Sequence, residues 1–422
     1  MGRMRCAMLD ACCIAAGGGC MFEISARARE LLGRLQGFLD EQVQPLEPDW
    51  YQHLSDPAAR GTAFAPLKGL QQRARAQGLW NLFLADTRYG AGLSHLEYAP
   101  LAEAMGRSLL APAVFNATQP DCSSIDLLAL YGNDAQRERW LRPLLAAELR
   151  AALAVSEGTV GSSDPANLVT TLAKRPEGHI LHGRKAWVSG AADPACRLLL
   201  VLGLSHPEAS LAKRYSLALV PRDAHGISVI GQHSVLGYAD GPGGYPELEF
   251  DQVFVPDDAI LLGPGRGLEA LQAVAGAGRL QQSLMLLGLA QRAFDATLQR
   301  ARSRVVFGKP LGQQPLVQAQ LARAHGALEQ SRLLCLNAAS VLERRGSRLA
   351  RESIALIKAC LPETACQIID LAIQLHGAAG LDGHDFLAHA YAHARGQRLA
   401  DGPEELHWLA LGRMLVDDKA RG

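Results

Sequence analysis

The first part of the chain, from Met21 to about Leu149, carries apolar residues at the three- to four-residue spacing of amphipathic helices. Its first stripe consists of Leu31, Leu32, Leu35, Phe38, Leu39 and Val43. Proline lacks the backbone N–H that a helix interior needs, so this run is predicted to stop at Pro45. The pattern therefore predicts an all-α domain over residues 21–150.

The pattern changes between about Ala151 and Leu262, where short apolar runs are separated by Gly and Pro. The runs are Leu168–Lys174, Ile180–Val188, Leu198–Leu204, Ser216–Val220, Ile227–Ile230 and Leu248–Val255. Runs of this length suit strands. We predict a β-barrel or β-sandwich domain over residues 151–262.

Helical spacing returns after Gly267 and continues to the C-terminal end. One stripe consists of Leu280, Leu284, Leu287, Phe294 and Leu298. A second consists of Ile354, Ile357, Leu361, Ala365, Ile368, Ala372 and Leu375. Stripes this long need helical neighbours, so residues 263–422 are predicted to form a four-helix bundle in which Pro362 kinks or divides one helix. The expected fold is a multidomain α+β protein.

The composition of the chain gives no support to nucleic-acid binding, lipid binding or a membrane-spanning function. The chain has 422 residues with 42 Lys+Arg against 42 Asp+Glu, and a formal net charge of zero. No long-range field attracts nucleic acid or anionic lipid, and no apolar run is long enough to span a membrane. The expected ligand is a small molecule or another protein.

The cysteines indicate a reducing, cytoplasmic compartment. Of nine cysteines, Cys6, Cys12, Cys13 and Cys20 fall within the first twenty residues, and the rest are scattered. The N-terminal four lack the two separated C-x-x-C pairs of a structural zinc site, so no metal is predicted. Residues 1–20 are expected to be a non-native or disordered extension, since amphipathic patterning begins only after Met21.

Three groups of segments carry the candidate chemistry. Ala152–Asp164 (ALAVSEGTVGSSD) places hydroxyls and flexible glycines where a strand gives way to a loop. His182–Ala191 (HGRKAWVSGA) reads as a hairpin strand that ends on an aromatic residue and a hydroxyl. The third group is predicted to be helical and comprises Arg304–Leu311 (RVVFGKPL), Ala372–Gly380 (AIQLHGAAG) and Arg398–His407 (RLADGPEELH).

Taken together and in this order, these segments resemble the acyl-CoA dehydrogenase family of flavoproteins over roughly residues 22–418. The SSD and LADGPEELH sequences most resemble the branch that includes animal members with an extra kinase-like domain. The resemblance implies bound FAD, held by the β-domain and the C-terminal helical domain. The residues that would hold the flavin and its pyrophosphate are Leu153, Val155, Ser156, Gly161, Ser162, Ser163, Trp187 and Ser189.

A second set would reach the adenosine and pyrophosphate of the FAD bound by a neighbouring subunit. By resemblance these residues are Arg304, Phe307, Gln374 and Gly377, which implies a homodimer or homotetramer. Two positions depart from the family pattern: Pro315 replaces a common Gln, and Ala378 replaces the second Gly of a G-G pair.

Asp401 matches the position of the family's catalytic glutamate, so the resemblance implies that it removes the α-proton of an acyl-CoA. The alternative base position falls in Val274–Arg279, which has no carboxylate. Arg279 and Gly402 are predicted to contact substrate, and Pro403 and Glu405 replace a common flavin-contacting Thr and a common Gln.

The resemblance thus implies α,β-dehydrogenation of an acyl-CoA thioester to the trans-2-enoyl-CoA, a reaction type of fatty acid β-oxidation, with electron-transferring flavoprotein as acceptor. Two alternatives stay open. One is a flavin oxidase of the nitroalkane-oxidase type, whose base is also an aspartate. The other is a catalytically silent flavoprotein or assembly partner, which the departures at Pro315 and Ala378 allow.

Overall fold

The computed structural model describes residues 22–56, 59, 61–239, 241 and 243–416. The predicted extension over residues 1–20, with its four cysteines, lies outside the described residues. The helices, numbered in chain order, are α1 (Ala26–Phe38), α2 (Glu47–Ser55), α3 (Leu67–Ala76), α4 (His95–Gly106), α5 (Ala111–Val114), α6 (Asp121–Tyr131), α7 (Asp134–Gln136), α8 (Arg142–Leu145), α9 (Gly267–Ser303), α10 (Pro315–Leu349), α11 (Arg351–His376), α12 (Phe386–Gln397) and α13 (Glu404–Val416).

The strands lie almost entirely between α8 and α9. They are β1 (Arg150–Ala154), β2 (Thr171–Arg175), β3 (Gly178–Lys185), β4 (Cys196–Leu204), β5 (Tyr215–Pro221), β6 (Ile227–His233), β7 (Tyr245–Val255) and β8 (Ile260–Leu261), followed by the separate pair β9 (Val305–Val306) and β10 (Lys309–Pro310). The expected order of helical, β and helical regions is confirmed. None of the described helices is both long and apolar enough to cross a membrane.

The first eight strands form one mixed sheet in the order β6-β7-β3-β2-β4-β5-β8, with β1 paired in parallel to β4. Strand β4 is buried almost throughout, whereas most of β6 is exposed. A continuous apolar run such as β4 is typical of a strand covered on both faces, and an exposed strand such as β6 suits the edge of a sheet.

Contacts divide the chain into two compact units. Among the described residues, one contains residues 22–51, Leu70–Phe115 and residues 279–416. The other contains Gln52–Gly69 and Asn116–Gly278. We call them the helical unit and the sheet unit.

Within the helical unit, α4 and α9 pack at backbone contact distance because each presents a glycine. A Cβ on Gly106 would lie 1.9 Å from the Met285 carbonyl oxygen, and one on Gly288 would lie 1.9 Å from the Glu103 carbonyl oxygen. Neither glycine tolerates a larger residue without separation of the helices.

A buried ion pair joins the same helices to α10. Arg332 is 1% exposed, and its Nη2 donates to Glu103 Oε1 at 2.8 Å and to Gln291 Oε1 at 2.8 Å. Both charges are compensated by hydrogen bonds, as burial requires.

In the sheet unit, Arg150 at the start of β1 bonds two carboxylates. Its Nε donates to Asp121 of α6 at 2.9 Å and its Nη1 donates to Asp193 at 2.8 Å. The Asp121 carboxylate also accepts the Ala151 N–H at 2.8 Å, so α6 and the first strand are tied together.

Two local predictions meet a different structure. Helical backbone does not end at Pro45, because a π-helical turn over Leu39–Val43 shifts the register and Pro45 enters a new 3-10 turn near its start, where its missing N–H costs nothing. Helix α11 is not divided at Pro362, so of the two predicted effects of this proline only a kink stays a prediction. The prediction of helix for Arg304–Leu311 is wrong.

That segment forms the hairpin β9–β10 instead. Its central residues Phe307 and Gly308 have φ of 49° and 78°, the left-handed backbone that a tight two-residue hairpin turn requires. The described cysteines, Cys122, Cys196, Cys335, Cys360 and Cys366, form no disulfide.

Candidate functional site

Asp401 lies in the turn between α12 and α13. The backbone has φ of 55° at Asp401 and 93° at Gly402, and Pro403 follows before α13 begins. Left-handed backbone is uncommon for residues other than glycine, and aspartate is among the side chains that tolerate it. The Asp-Gly-Pro sequence therefore suits a sharp turn that directs the aspartate outward, and the Asp401 residue is exposed.

Two basic side chains hold the turn through the Asp401 carbonyl oxygen. Arg279 Nη2 donates to it at 3.1 Å, and His407 Nε2 lies 3.3 Å from it. Among the described residues, no hydrogen bond engages the Asp401 carboxylate or its backbone N–H. Both groups are therefore left for a ligand.

A third basic side chain, that of Lys358, donates to main-chain oxygens just before Asp401. Lys358 of α11 is 2% exposed, and its Nζ donates to the Ala400 carbonyl oxygen at 3.0 Å and to that of Gln397 at 3.3 Å. Burial lowers the pKa of Lys358, while the nearby Asp401 charge opposes this. Burial, assisted by Arg279 and Lys358, lowers the pKa of His407 to about 4, so this imidazole is neutral at pH 7.

An ion pair closes the turn at its outer end. Arg398 Nε donates to Glu404 Oε2 at 2.9 Å, and the Glu404 N–H donates to the Arg398 carbonyl oxygen at 3.1 Å. Pro403 is half-buried beside this pair and Glu405 is exposed. The predicted residues Arg279, Asp401, Gly402, Pro403 and Glu405 thus belong to one small region of the helical unit.

The predicted flavin segment begins in β1 and continues into a loop of the sheet unit. Leu153 and Val155 are half-buried, whereas Ser156, Gly161 and Ser163 are exposed. The Ser162 hydroxyl shapes the loop, because it accepts the Glu157 N–H at 2.7 Å and donates to the Glu157 carbonyl oxygen at 2.8 Å. The side chain of Ser162 is therefore structural within this loop, while its exposed neighbours are open to a ligand.

A buried ion pair anchors the flavin loop to strand β3. Lys185 Nζ donates to Glu157 Oε1 at 2.8 Å and to the Val155 carbonyl oxygen at 2.8 Å. The Glu157 carboxylate also accepts the N–H groups of Val169 and Thr170. Burial lowers the pKa of Lys185. At Glu157 burial raises the pKa, but the Lys185 charge and the two N–H donors outweigh it, so the pKa of Glu157 is lowered.

Trp187 lies two residues beyond that lysine. Its indole is 47% exposed and stacks on the His233 ring with a centroid separation of 4.7 Å and an interplanar angle of 11°, with Tyr245 at 5.6 Å. Ser189 is half-buried nearby in sequence. A fixed, half-exposed flat ring in the same unit as a loop of exposed hydroxyls and glycine fits a tricyclic ring with polar substituents, so the residues present are compatible with FAD.

The remaining predicted residues lie near one end of the helical bundle. Arg304 is exposed beside the hairpin, and the Phe307 side chain is 98% exposed at its tip. Gln374 is exposed in the last turn of α11, and Gly377 ends that helix with φ of 68°. Arg300 Nη2 bonds the His376 carbonyl oxygen at 3.2 Å, which links the ends of α9 and α11.

Four residues that hold the site in shape through hydrogen bonds were not among the predicted site residues. They are Glu157, Lys185, Lys358 and His407. Glu157 and Lys185 stand inside the quoted motifs, and His407 ends the third, so their positions offered a signal. Lys358 offered none, because it lies 42 residues from the Ala400 carbonyl that it bonds.

Comparison with known proteins covers nearly the whole chain. Family models for the N-terminal, middle and C-terminal domains of acyl-CoA dehydrogenases match residues 25–148, 152–253 and 265–416. The solved structure of an acyl-CoA dehydrogenase homologue from Mycobacterium abscessus is 40% identical, with a TM-score of 0.92 over 94% of this chain and all of that one.

Two curated relatives differ in length. Acyl-CoA dehydrogenase family member 10 of Mus musculus is 40% identical over 403 residues, which are 94% of this chain but only 38% of the mouse protein. The protein FadE2 of Mycobacterium tuberculosis is 39% identical over 395 residues, 93% of this chain and 96% of that protein. The similarity to the mouse protein therefore concerns one part of it.

Proposed function

This chain belongs to the acyl-CoA dehydrogenase family, whose members are FAD-dependent oxidoreductases acting on CH–CH bonds, and we propose that it oxidises an acyl-CoA to the trans-2-enoyl-CoA. The observation that carries the proposal is the Asp401 turn. It presents an exposed carboxylate and a backbone N–H with no protein acceptor among the described residues, while Arg279, Lys358 and His407 are engaged with main-chain oxygens of the turn.

Asp401 is the proposed base for the α-proton. A thioester α-proton is weakly acidic, so its removal needs a positioned carboxylate together with polarisation of the thioester carbonyl. The Asp401 N–H, with no described protein acceptor, is suited to donate to that carbonyl. FAD, when bound, supplies the hydride acceptor for the β-carbon. Because Asp is one methylene shorter than Glu, the substrate must sit closer to this backbone than to that of a glutamate enzyme.

The FAD would be held mainly by the sheet unit. Trp187 offers its ring beside the flavin, Ser189 a hydroxyl, and Ser156, Gly161 and Ser163 the exposed donors of the loop, which Ser162 holds in shape. Leu153 and Val155 would contribute backbone and an apolar wall. Pro403 and Glu405 are the proposed flavin-binding residues of the helical unit. The exposure of Ser156, Gly161, Ser163 and Trp187 supports the assignments in the sheet unit.

We further propose that Arg304, Phe307, Gln374 and Gly377 bind the adenosine side of a neighbouring subunit's FAD in a homodimer or homotetramer. An aromatic side chain 98% exposed at a hairpin tip has no packing role within its own chain, and this supports a role between subunits. Electron-transferring flavoprotein is the proposed acceptor, and the cytoplasm the proposed location.

The test is anaerobic mixing of the FAD-loaded protein with acyl-CoAs of different length, branching and hydroxylation, followed by flavin absorbance. We expect at least one acyl-CoA to bleach the flavin. Asp401→Asn should slow bleaching by about 10²- to 10⁴-fold, because the amide cannot accept the proton. Asp223→Asn, at another exposed aspartate, serves as the matched control.

Three results would contradict the proposal. Bleaching of Asp401→Asn at the wild-type rate would remove the assigned base. Reduction by nitroethane but by no acyl-CoA would indicate a flavin oxidase of the nitroalkane-oxidase type. Bound FAD that no thioester reduces, with a stable partner on pull-down, would indicate a catalytically silent flavoprotein.

A further inference from the structure

The position of Lys358 is unusual for its chemistry. Lysine is almost never fully buried without a carboxylate partner, yet Lys358 is 2% exposed and no carboxylate among the described residues forms an ion pair with it. Its Nζ instead donates to two main-chain oxygens, those of Gln397 and Ala400. The first ends helix α12, and the second belongs to the residue immediately before Asp401.

Two effects favour a cationic donor at these carbonyl oxygens. The last carbonyls of a helix have no partners within the helix and carry its partial negative charge, so a cation there is favourable. Replacement of Lys358 by an apolar residue would remove the donor from both part-buried hydrogen bonds. The backbone that carries Asp401 would then lose one of its three anchors, the others being Arg279 and His407.

Arg279 and His407 hold the same turn from other elements. Arg279 reaches the Asp401 carbonyl oxygen from α9 and His407 reaches it from α13, while Arg398 is paired with Glu404. Lys358 reaches the carbonyl oxygen of the residue before Asp401, so it fixes a point of the backbone that the other two do not.

We propose that Lys358 is a positioning residue for the proposed base, fixing the turn that aims Asp401 at the substrate. It touches neither substrate nor cofactor and acts through the carbonyl oxygens of Gln397 and Ala400. The proposal rests on the proposed function, since it concerns the same carboxylate.

The experiment compares Lys358→Met, Lys358→Gln and Lys358→Arg in the FAD-loaded protein by anaerobic bleaching with the best acyl-CoA over a range of acyl-CoA concentrations. Lys68→Met, at an exposed lysine, is the control. We expect Lys358→Met to lower the maximal bleaching rate by about 10- to 100-fold, because small misplacements of a reacting group cost this much. The acyl-CoA concentration at half-maximal rate should change less than about threefold, because the lost interaction does not bind substrate.

The conservative variants test whether the hydrogen bonds of Lys358 set the rate. Lys358→Gln and Lys358→Arg keep N–H donors, so both should recover part of the rate that Lys358→Met loses. Such recovery supports donation to the main-chain oxygens, and not the bulk of the side chain, as the cause.

A merely structural role gives a different result. If the rate per bound FAD of Lys358→Met matches wild type, the proposal is overturned, even if the variant melts earlier. Should Lys358→Met fail to fold, Lys358→Gln decides by whether its maximal rate falls while the acyl-CoA concentration at half-maximal rate stays near that of wild type. Failure of the proposed function is distinguishable, because then Asp401→Asn bleaches normally or wild type is not bleached at all.

Discussion

His407 lies beneath the Asp401 turn, and burial with the charges of Arg279 and Lys358 lowers its pKa to about 4. An unfolded histidine titrates near 6.5, so between these values the unfolded chain binds the proton and the folded chain does not. Folded-state stability should therefore fall as the pH is lowered from about 6.5 to about 4, by an amount on the order of 1–3 kcal/mol.

The comparison is between wild type and His407→Gln in thermal unfolding at pH 7.5 and 5. Glutamine cannot gain the proton, so the loss of melting temperature between the two pH values should be smaller in this variant. His225→Gln, at an exposed histidine, should keep the wild-type difference. Equal pH sensitivity of wild type and His407→Gln would show that His407 takes no part in the acid destabilisation.

Some residues of the Asp401 turn could be predicted from the sequence, whereas others could not. Asp401 and Trp187 could be identified from the motifs that surround them. Lys358 and Arg279 reach the turn from helices 40 or more residues away, and a buried lysine on an apolar stripe has no periodic signature. Contacts of this kind exist only after the helices pack, so one sequence does not reveal them.

At the scale of elements, helices α4 and α9 depend on the absence of side chains where they cross. Gly106→Ala would place a methyl group 1.9 Å from the Met285 carbonyl oxygen, so the helices must separate. We expect a loss of at least about 2 kcal/mol, the range of overpacked core substitutions, seen as a melting temperature lower by several degrees.

Gly37→Ala is the matched control for that substitution. Gly37 also lies in a helix, α1, but a Cβ there meets nothing within 4 Å. Alanine should stabilise this helix by up to about 1 kcal/mol, because it has the higher helix propensity. Equal effects of the two substitutions would refute close packing at Gly106.

Elements differ in how far the sequence predicts them. The stripes of α9 and α11 repeat over many turns, so the helices and their buried faces followed from spacing, as did the central strands of the sheet. The hairpin β9–β10 has two-residue strands, too short for any period, and its turn depends on left-handed backbone at Phe307 that the residue type does not suggest. The predicted end of the helix at Pro45 was wrong for a related reason. A π-helical turn before this proline shifts the register of the helix.

At the scale of the whole molecule, cofactor binding and stability should be linked. A ligand that binds only the folded chain stabilises it by RT ln(1 + [L]/Kd), about 2.7 kcal/mol at a concentration of 100 times Kd. Titration of FAD into the apoprotein should therefore raise the melting temperature in a concentration-dependent way. Riboflavin lacks the pyrophosphate and adenosine, so it should give a smaller rise.

Trp187→Ala tests whether Trp187 of the sheet unit contributes to FAD binding and so to this stabilisation. Loss of the half-exposed ring that stacks on His233 should move the FAD titration to higher concentrations, with little change in the melting temperature of the apoprotein. Trp408→Ala is the matched control, since Trp408 is 48% exposed against 47% for Trp187 but lies in α13. An unshifted titration in Trp187→Ala would place the flavin ring away from this tryptophan, even though the chain still bound FAD.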